Sequence, residues 1–266
     1  MTDSVYERIQ ANAKALKVDL YAADLAGFSQ EQNFTAEQLD AISKVFDYLA
    51  DRKQETIIST LLKMSHLPMK EPKTFDSFDF TRIKGRNTAE IRNLPTLSAV
   101  YARQNLAFIG PQGIGKTHLA MAYGRECCMR GMKTYFLKAN ELNQKLSDAV
   151  KYGRETTTIN SLVKPSCLII DEIGRCEFSK TNTRMFFDFI DRRYSKDGPN
   201  TTIFTSNIGP DQWGQFFGED SSLLCALDRI FDDATVYMMS GDGYRGRKLK
   251  TVSVEIGDTD GPNAVQ

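Results

Sequence analysis

The feature that most constrains the fold of this chain is the stretch of residues 110–117, which reads Gly-Pro-Gln-Gly-Ile-Gly-Lys-Thr. It satisfies every fixed position of the phosphate-loop pattern G-x-x-x-x-G-K-[ST]. The apolar run before it predicts a buried strand over Asn105–Ile109, and the residues after it predict a helix. A loop between a strand and a helix can point its backbone N–H groups at phosphate. A glycine turn without a binding role would not need a strand before it and a helix after it. The pattern therefore predicts a nucleotide-binding α/β domain.

The residues of this loop have distinct expected roles. Gly113 and Gly115 let the backbone approach the phosphates. Lys116 is expected to reach the β- and γ-phosphate oxygens, and the Thr117 hydroxyl is expected to coordinate Mg²⁺. We expect the nucleotide to contact the whole loop and the residue after it, namely Gly110, Pro111, Gln112, Gly113, Ile114, Gly115, Lys116, Thr117 and His118.

The second half of the chain alternates between apolar runs and helical segments. This alternation predicts an α/β fold in which a parallel five-stranded sheet is flanked by helices on both faces. Ligands of such sheets bind at the carboxyl ends of the strands, so catalytic residues are expected there. The predicted strands cover residues 105–109, 134–139, 166–171, 201–206 and 234–239.

Polar side chains end two of the predicted strands. The strand 166–171 ends at Asp171, which is expected to hold Mg²⁺ together with Thr117, and Glu172 follows it. Phosphoryl transfer needs metal, positioning and charge stabilisation, so we expect Glu172 to orient and polarise the attacking water. Asn207 follows the strand 201–206 and is expected to hold that water from the opposite side. The alternative is an asparagine that only closes the strand as a turn residue.

The front of the chain has a helical pattern. Apolar residues between Val5 and Leu20 recur at helical spacing and predict one helix of about four turns. A capping box at Thr35 begins a second helix, which runs to about Ser65. Two prolines at 68 and 72 end the helical region. We therefore predict a small all-helical N-terminal domain at 1–67, a nucleotide-binding domain at 68–254 and a polar, disordered tail at 255–266.

Composition excludes several other classes. Lys plus Arg and Asp plus Glu both number 34, so DNA binding would need a local basic patch. The five cysteines include no C-x-x-C pair, which argues against a zinc site. No stretch approaches the roughly 20 apolar residues of a membrane span, and the first residues lack the apolar core of a signal peptide. We expect a cytoplasmic protein without a membrane partner.

Seven stretches together resemble the IstB-like ATPases. These proteins help insertion sequences to transpose, and they are close to the DnaC helicase loaders within the AAA+ initiator clade. The resemblance covers about residues 73–250 by motif, and the helical front domain also suits the family. The matching stretches are residues 110–120, 168–174, 186–194, 205–207, 212–214, 227–230 and 241–245.

The resemblance implies an AAA+ fold that binds ATP and Mg²⁺ and hydrolyses ATP between the subunits of a homo-oligomer. It implies catalytic roles for Lys116, Asp171, Glu172 and Asn207, and it adds two arginines. Arg229 matches the finger position that reaches a neighbouring subunit's γ-phosphate, and Arg245 matches the position compared to the second sensor. The alternative for either arginine is a surface ion pair, since three aspartates (Asp228, Asp232 and Asp233) crowd Arg229.

The same resemblance implies a regulator that assembles on double-stranded DNA and recruits a transposase. Lys145, Lys151 and Arg154, on or just beyond a helix, are the candidates for DNA contact, with solvated helix charges as the alternative. A loader of a replicative helicase is the nearest other interpretation, because it shares every ATPase residue. A P-loop kinase would need a mobile arginine-rich lid, and the sequence shows no such segment. A nucleotide switch without hydrolysis would not need Glu172, Asn207 and Arg229.

Overall fold

The computed structural model describes residues 4–83, 88–217 and 222–241. Within these residues the strands are β1 (Asn105–Ile109), β2 (Thr134–Lys138), β3 (Cys167–Ile173), β4 (Thr201–Ser206) and β5 (Ala234–Met238). The helices are α1 (Val5–Leu16), α2 (Ala22–Glu31), α3 (Ala36–Met64), α4 (Thr88–Arg92), α5 (Ser98–Ala102), α6 (Lys116–Met129), α7 (Ala139–Lys151), α8 (Glu155–Val163), α9 (Lys180–Tyr194) and α10 (Ser222–Phe231).

The five strands form one parallel sheet in the order β2-β3-β4-β1-β5, which confirms the predicted architecture. Strand β1 lies between β4 and β5, so the phosphate loop at its end has a strand end on either side. Strand β3 is longer than predicted, because it continues through both acidic residues to Ile173. Its pairing with β4 is irregular between Ile170 and Ile173, which is where those residues lie.

Alternate side chains of the strands pack into two apolar cores, one on each face of the sheet. On β1, Leu106 and Phe108 pack on the side of α6, whereas Ala107 and Ile109 pack on the side of α7, α8 and α9. Burial on both faces explains why the strands read as continuous apolar runs. The sheet is therefore held from both sides, and its carboxyl edge is a fixed platform for the loops.

The front of the chain differs from its prediction in two respects, because the first helix ends earlier and α2 forms where no helix was predicted. A single helix reaching Leu20 is wrong: α1 ends at Leu16, because Lys17 adopts a left-handed backbone conformation with φ of 62°. The Val18 N–H then closes the turn on the Ala13 carbonyl at 2.9 Å, and α2 follows. The second predicted helix corresponds to α3, which begins after the predicted capping box at Thr35 and runs to Met64 as expected.

The end of α3 contacts the sheet directly. The carbonyl of Ser65 accepts a hydrogen bond from the N–H of Phe136 on the edge strand β2 at 2.8 Å, and Leu67 is buried in the core beside α6. Phe78 packs into the same core, in edge-to-face contact with Phe80. Within the described residues, no helix is both long and apolar enough to cross a membrane.

Candidate active site

The phosphate loop connects β1 to α6 through two glycines that no other residue replaces easily. A Cβ atom on Gly110 would collide with the main-chain carbonyl of Met239, because the loop passes against the end of β5 there. Gly115 has φ of 105° and caps α6, so the helix begins with Lys116. The N–H groups at the start of a helix have no partners within that helix, and a loop that leads into a helix start is the geometry that binds phosphate.

Lys116 and Asn207 meet at the centre of the loop. The Lys116 ammonium donates to the carbonyls of Gly110 at 2.6 Å and Pro111 at 2.7 Å, and to Oδ1 of Asn207 at 2.8 Å. Lys116 is buried, whereas most lysines lie exposed in water. These three oxygens satisfy the ammonium, and phosphate oxygens could take their place.

Asp171 lies on β3, which β4 separates from β1, and it contacts Thr117 at the end of the same loop. Its Oδ1 accepts hydrogen bonds from the hydroxyls of Thr117 at 2.7 Å and Thr205 at 2.5 Å. Burial raises the pKa of Asp171, while the two hydroxyl donors oppose that rise by stabilising the carboxylate. Thr205 also accepts from the Glu172 N–H at 2.9 Å, so one hydroxyl positions both acidic residues. Sequence reasoning missed Thr205, because its contact depends on the pairing of β3 with β4.

Glu172 has an unusual backbone and two cationic partners. Its φ is 65°, in the left-handed region, at the irregularity of β3. Its carboxylate pairs with Arg175 at 3.1 Å and approaches the Lys138 ammonium at 3.7 Å. Lys138 ends the neighbouring strand directly opposite Asp171 in the sheet register, and the sequence alone does not predict this pairing. Two cations therefore lie within ion-pair distance of Glu172.

A cavity of about 390 Å³ opens beside the loop. The segment that follows α3 forms one wall with Lys73, Ser77, Phe78 and Asp79, and the loop with His118 forms the other. The Nε2 atom of His118 lies 2.8 Å from the Thr74 carbonyl, so this nitrogen carries the proton. Burial lowers the pKa of His118, which keeps the ring neutral at pH 7. The cavity has room for the rest of a nucleotide whose phosphates lie on the loop.

Thr117 and Asp171 suit a bound Mg²⁺ ion. Their oxygens lie 2.7 Å apart at the loop, and hard oxygen donors of this kind are the ligands that Mg²⁺ prefers. The described residues contain no cluster of three or more His, Cys, Asp or Glu side chains that could hold a metal by themselves. Such a pair fits an ion that takes its other ligands from water and nucleotide phosphates.

Arg229 lies near the amino ends of the strands, whereas the loop lies at their carboxyl ends. It borders a second cavity of about 390 Å³, whose lining includes Asn105, Thr202 and Asp233. These residues begin β1, lie in the first part of β4 and precede β5, whereas the loop follows the end of β1. A five-residue strand spans about 16 Å, so Arg229 is remote from its own loop. It pairs with Asp191 of α9 at 3.0 Å rather than with a nearby aspartate of its own segment, and Arg245 lies outside the described residues.

The three candidates for DNA contact lie close together. Lys145 and Arg154 line a groove of about 770 Å³ beside the edge strand β2, with Tyr135 and Tyr152. The Lys145 ammonium lies 5.8 Å from the Tyr135 ring centre, and the Lys151 ammonium lies 5.3 Å from that of Tyr152. Two carboxylates, Glu141 and Asp148, line the same groove and reduce its positive charge.

A family model described as IstB-like ATP binding protein matches residues 11–252. The chain belongs to this family. Among members of known origin, an ATP-binding protein of insertion sequence IS5376 from Geobacillus stearothermophilus is 39% identical over 198 residues, which are 74% of this chain and 77% of that protein. One of insertion sequence IS232 from Bacillus thuringiensis subsp. berliner is 31% identical over 243 residues, 90% of this chain and 94% of its own.

Solved structures share the fold of this IstB-like protein. The DnaC helicase loader has a TM-score of 0.52 at 19% identity, over 63% of this chain and 97% of its own. DnaA from Aquifex aeolicus with AMPPCP bound has a TM-score of 0.54 at 20% identity, over 67% of this chain and 52% of its own, so the chain spans about half of DnaA. These likenesses establish the AAA+ P-loop fold that the sequence predicts.

Proposed function

We propose that this chain is an ATP-hydrolysing assembly factor of insertion-sequence transposition. In this proposal it assembles on double-stranded DNA as a homo-oligomer and recruits or stimulates a transposase. Membership of the IstB-like family supports it, as do the names of the two bacterial relatives, which are ATP-binding proteins of insertion sequences. The ATP-binding family and the geometry of the phosphate loop support the binding of ATP.

The observation that carries the proposal is the division of the ATPase residues between two edges of the sheet. Lys116, Asn207, Asp171 and Glu172 surround one loop, whereas Arg229 lies at the opposite edge. One subunit therefore has the residues to bind ATP but cannot bring its own Arg229 to the γ-phosphate. A second copy that places its Arg229 edge against the loop completes the set.

Each residue then has a defined part in hydrolysis. Lys116 exchanges its carbonyl partners for phosphate oxygens. Thr117 and Asp171 would hold Mg²⁺, which would neutralise phosphate charge. Glu172 leaves its ion pairs and accepts hydrogen bonds from the attacking water, which Asn207 holds from the other side. A bond forms between the water oxygen and the γ-phosphorus, the bond to the bridging oxygen breaks, and ADP, phosphate and a proton leave.

A complementation experiment tests the shared site. Two defective chains, Glu172→Gln and Arg229→Ala, are each expected to lose at least about 100-fold in turnover. Equal mixing should restore about a quarter of wild-type turnover, because in a random row one interface in four joins an intact loop to an intact arginine. The measurement is ATP turnover per subunit across mixing ratios.

Two controls make the result decisive. Mixing Glu172→Gln with Lys116→Ala should restore nothing, since both changes damage the same face. Native mass spectrometry should show that the mixed chains associate. If associated chains give no recovery at any ratio, the composite site is wrong.

A helicase loader is a second candidate, favoured by the likeness to DnaC over 97% of that chain. The two functions share the ATPase chemistry and differ in the partner. Co-sedimentation of the ATP-bound protein with purified transposase, and separately with purified replicative helicase, distinguishes them. We expect the transposase to co-sediment and the helicase to stay behind.

A further inference from the structure

A second arginine shares the cavity of Arg229. Arg103 follows α5 and borders the same cavity of about 390 Å³, together with Tyr194, Asp232 and Asp233. Its backbone is left-handed, with φ of 63°, and the next N–H, of Gln104, closes on the Ala99 carbonyl at 2.9 Å. This turn directs the chain from α5 into β1. It thereby fixes Arg103 at the edge where β1 begins.

We propose that Arg103 acts in trans beside Arg229, binding the phosphates of ATP held by a neighbouring copy of this chain. The proposal rests on the shared site proposed above and adds a residue that the motifs do not include. Its ligand is the triphosphate of a nucleotide on another subunit's phosphate loop. Arg103 would thus belong to the same half of the site as Arg229.

The last turn of α9 holds both arginines. Asp191 pairs with Arg229 at 3.0 Å, and the carbonyl of Tyr194 accepts from Nη2 of Arg103 at 2.8 Å. Arg193, between them in sequence, is fully buried and bonds to carbonyls of α8 and β4, which anchors this turn to the core. The two guanidinium groups therefore share one rigid support, and an assembly that brings one to a nucleotide brings the other.

Two carboxylates share the cavity with Arg103 but bond to other groups. The carboxylate of Asp232 accepts from the Tyr194 hydroxyl at 3.0 Å, and that of Asp233 accepts from Nε2 of Gln104 at 2.8 Å. Asp191 is engaged by Arg229. Among the described residues, no carboxylate forms an ion pair with Arg103, whose recorded partner is a neutral carbonyl. Arg103 can therefore exchange a neutral carbonyl, rather than a carboxylate, for the oxygens of a polyphosphate.

The chemical step gives this second cation a use. As the bond between the γ-phosphorus and the bridging oxygen breaks, negative charge moves onto that oxygen and onto the leaving ADP. One arginine contacts the γ-phosphate oxygens, and a neighbouring arginine can neutralise the charge on the leaving side. Arginine suits both places because its planar fork bonds two phosphate oxygens at once.

The test uses Arg103→Gln in the full chain. Glutamine removes the charge but keeps an amide that can donate to the Tyr194 carbonyl, so the turn is preserved. The matched control is Arg192→Gln, which changes an exposed arginine of α9 that pairs with Asp188 outside the cavity. We expect Arg103→Gln to lower turnover about tenfold or more, with ATP affinity changed less than about twofold, and the control to behave as wild type.

Mixing experiments then assign Arg103 to its half of the site. Equal amounts of Arg103→Gln and Glu172→Gln should recover about a quarter of wild-type turnover, whereas Arg103→Gln with Arg229→Ala should recover none. Thermal unfolding and native mass spectrometry check that the chains fold and associate.

Each other outcome overturns the inference. Wild-type turnover by Arg103→Gln, or recovery with Arg229→Ala, would mean that Arg103 does not act with Arg229. Loss of association together with turnover would make Arg103 an interface residue only. If Glu172→Gln and Arg229→Ala fail to complement each other, the shared site itself fails, which separates the two proposals.

Discussion

Among single residues, Asp171 brings a carboxylate into the core between β3 and β4. Two hydroxyls donate to it, yet burial raises its pKa, so the ionised form is disfavoured in the folded chain without metal. The residue that suits Mg²⁺ therefore works against folding when the ion is absent. An amide of the same shape would keep the hydrogen-bond acceptor and remove the charge.

Asp171→Asn should consequently lower turnover by at least about 100-fold while leaving the metal-free chain at least as stable as wild type at pH 7. The pH dependence has a definite sign. The folded chain keeps the Asp171 proton to higher pH than the unfolded chain, so this residue lowers the free energy of unfolding as pH rises between its two pKa values. The stability advantage of the variant should grow through that window and then stay constant.

Urea unfolding from pH 4 to pH 8 without Mg²⁺, with ATP turnover measured in parallel, tests this expectation. The control is Asp188→Asn, which changes an exposed carboxylate of α9 and should leave turnover unaltered. A variant that is clearly less stable than wild type at pH 7 would contradict the argument from burial.

Residue by residue, the sequence identifies the site where spacing is fixed by one local motif. Lys116 and Thr117 follow from the loop pattern, and Asp171 follows from an apolar run that ends in acid. Thr205, Lys138 and Arg175 did not follow. The contacts of Thr205 and Lys138 depend on strand register, and that of Arg175 depends on the left-handed backbone at Glu172. These are relations in space, which no short sequence pattern encodes.

At the scale of elements, Arg193 connects α9 to α8, to the loop that follows α8 and to β4. Its guanidinium donates to the carbonyls of Leu162, Val163, Pro165 and Thr201, and to the Thr202 hydroxyl. Burial lowers its pKa to about 10, so it stays charged at pH 7. These bonds satisfy the end of α8 and the start of β4, where helix and strand leave carbonyls without partners.

Arg193→Met should therefore destabilise the chain by about 3 kcal/mol or more, because it leaves several buried carbonyls without donors. Its neighbour Arg192 is an exposed residue, and Arg192→Met should change stability by less than about 1 kcal/mol. Urea unfolding of the two variants under one set of conditions gives the comparison. Equal effects would show that the buried network does not hold these elements together.

Elements were predictable where burial determined their pattern. All five strands lie close to their predicted positions, because burial on both faces makes each one an apolar run. The break between α1 and α2 was not predictable from periodicity, since apolar residues continue at helical spacing past Leu16. A left-handed residue ends the helix there, and Lys17 carries no glycine signal.

At the scale of the whole molecule, we expect ATP to control DNA binding through assembly. A neutral chain can bind duplex DNA when an oligomer aligns one basic patch from each subunit, because each phosphate contact releases counterions. The candidates for such a patch are Lys145, Lys151 and Arg154, beside the edge strand β2. Binding should tolerate any sequence, since these side chains would meet phosphates rather than base edges.

The charge-reversed pair Lys151→Glu with Arg154→Glu should weaken duplex binding at least about tenfold and reduce its salt dependence, with ATP binding unchanged. The measurement is fluorescence anisotropy of a labelled duplex with a slowly hydrolysed ATP analogue across a salt series. Lys53→Glu with Lys63→Glu, on α3, is the matched control. If the control pair loses affinity and the test pair does not, the DNA surface lies on the helical front of the chain.

The loop and Arg229 lie at opposite ends of the strands of one sheet. Copies that join edge to edge form a row with two different ends, so n copies make only n − 1 complete sites. The nucleotide on one terminal copy meets no arginine and outlasts the others. Turnover per copy rises as the row lengthens and reaches its limit only if the row closes. The rate of hydrolysis would then report the length of the assembly, and the last-bound ATP would mark its growing or dissociating end.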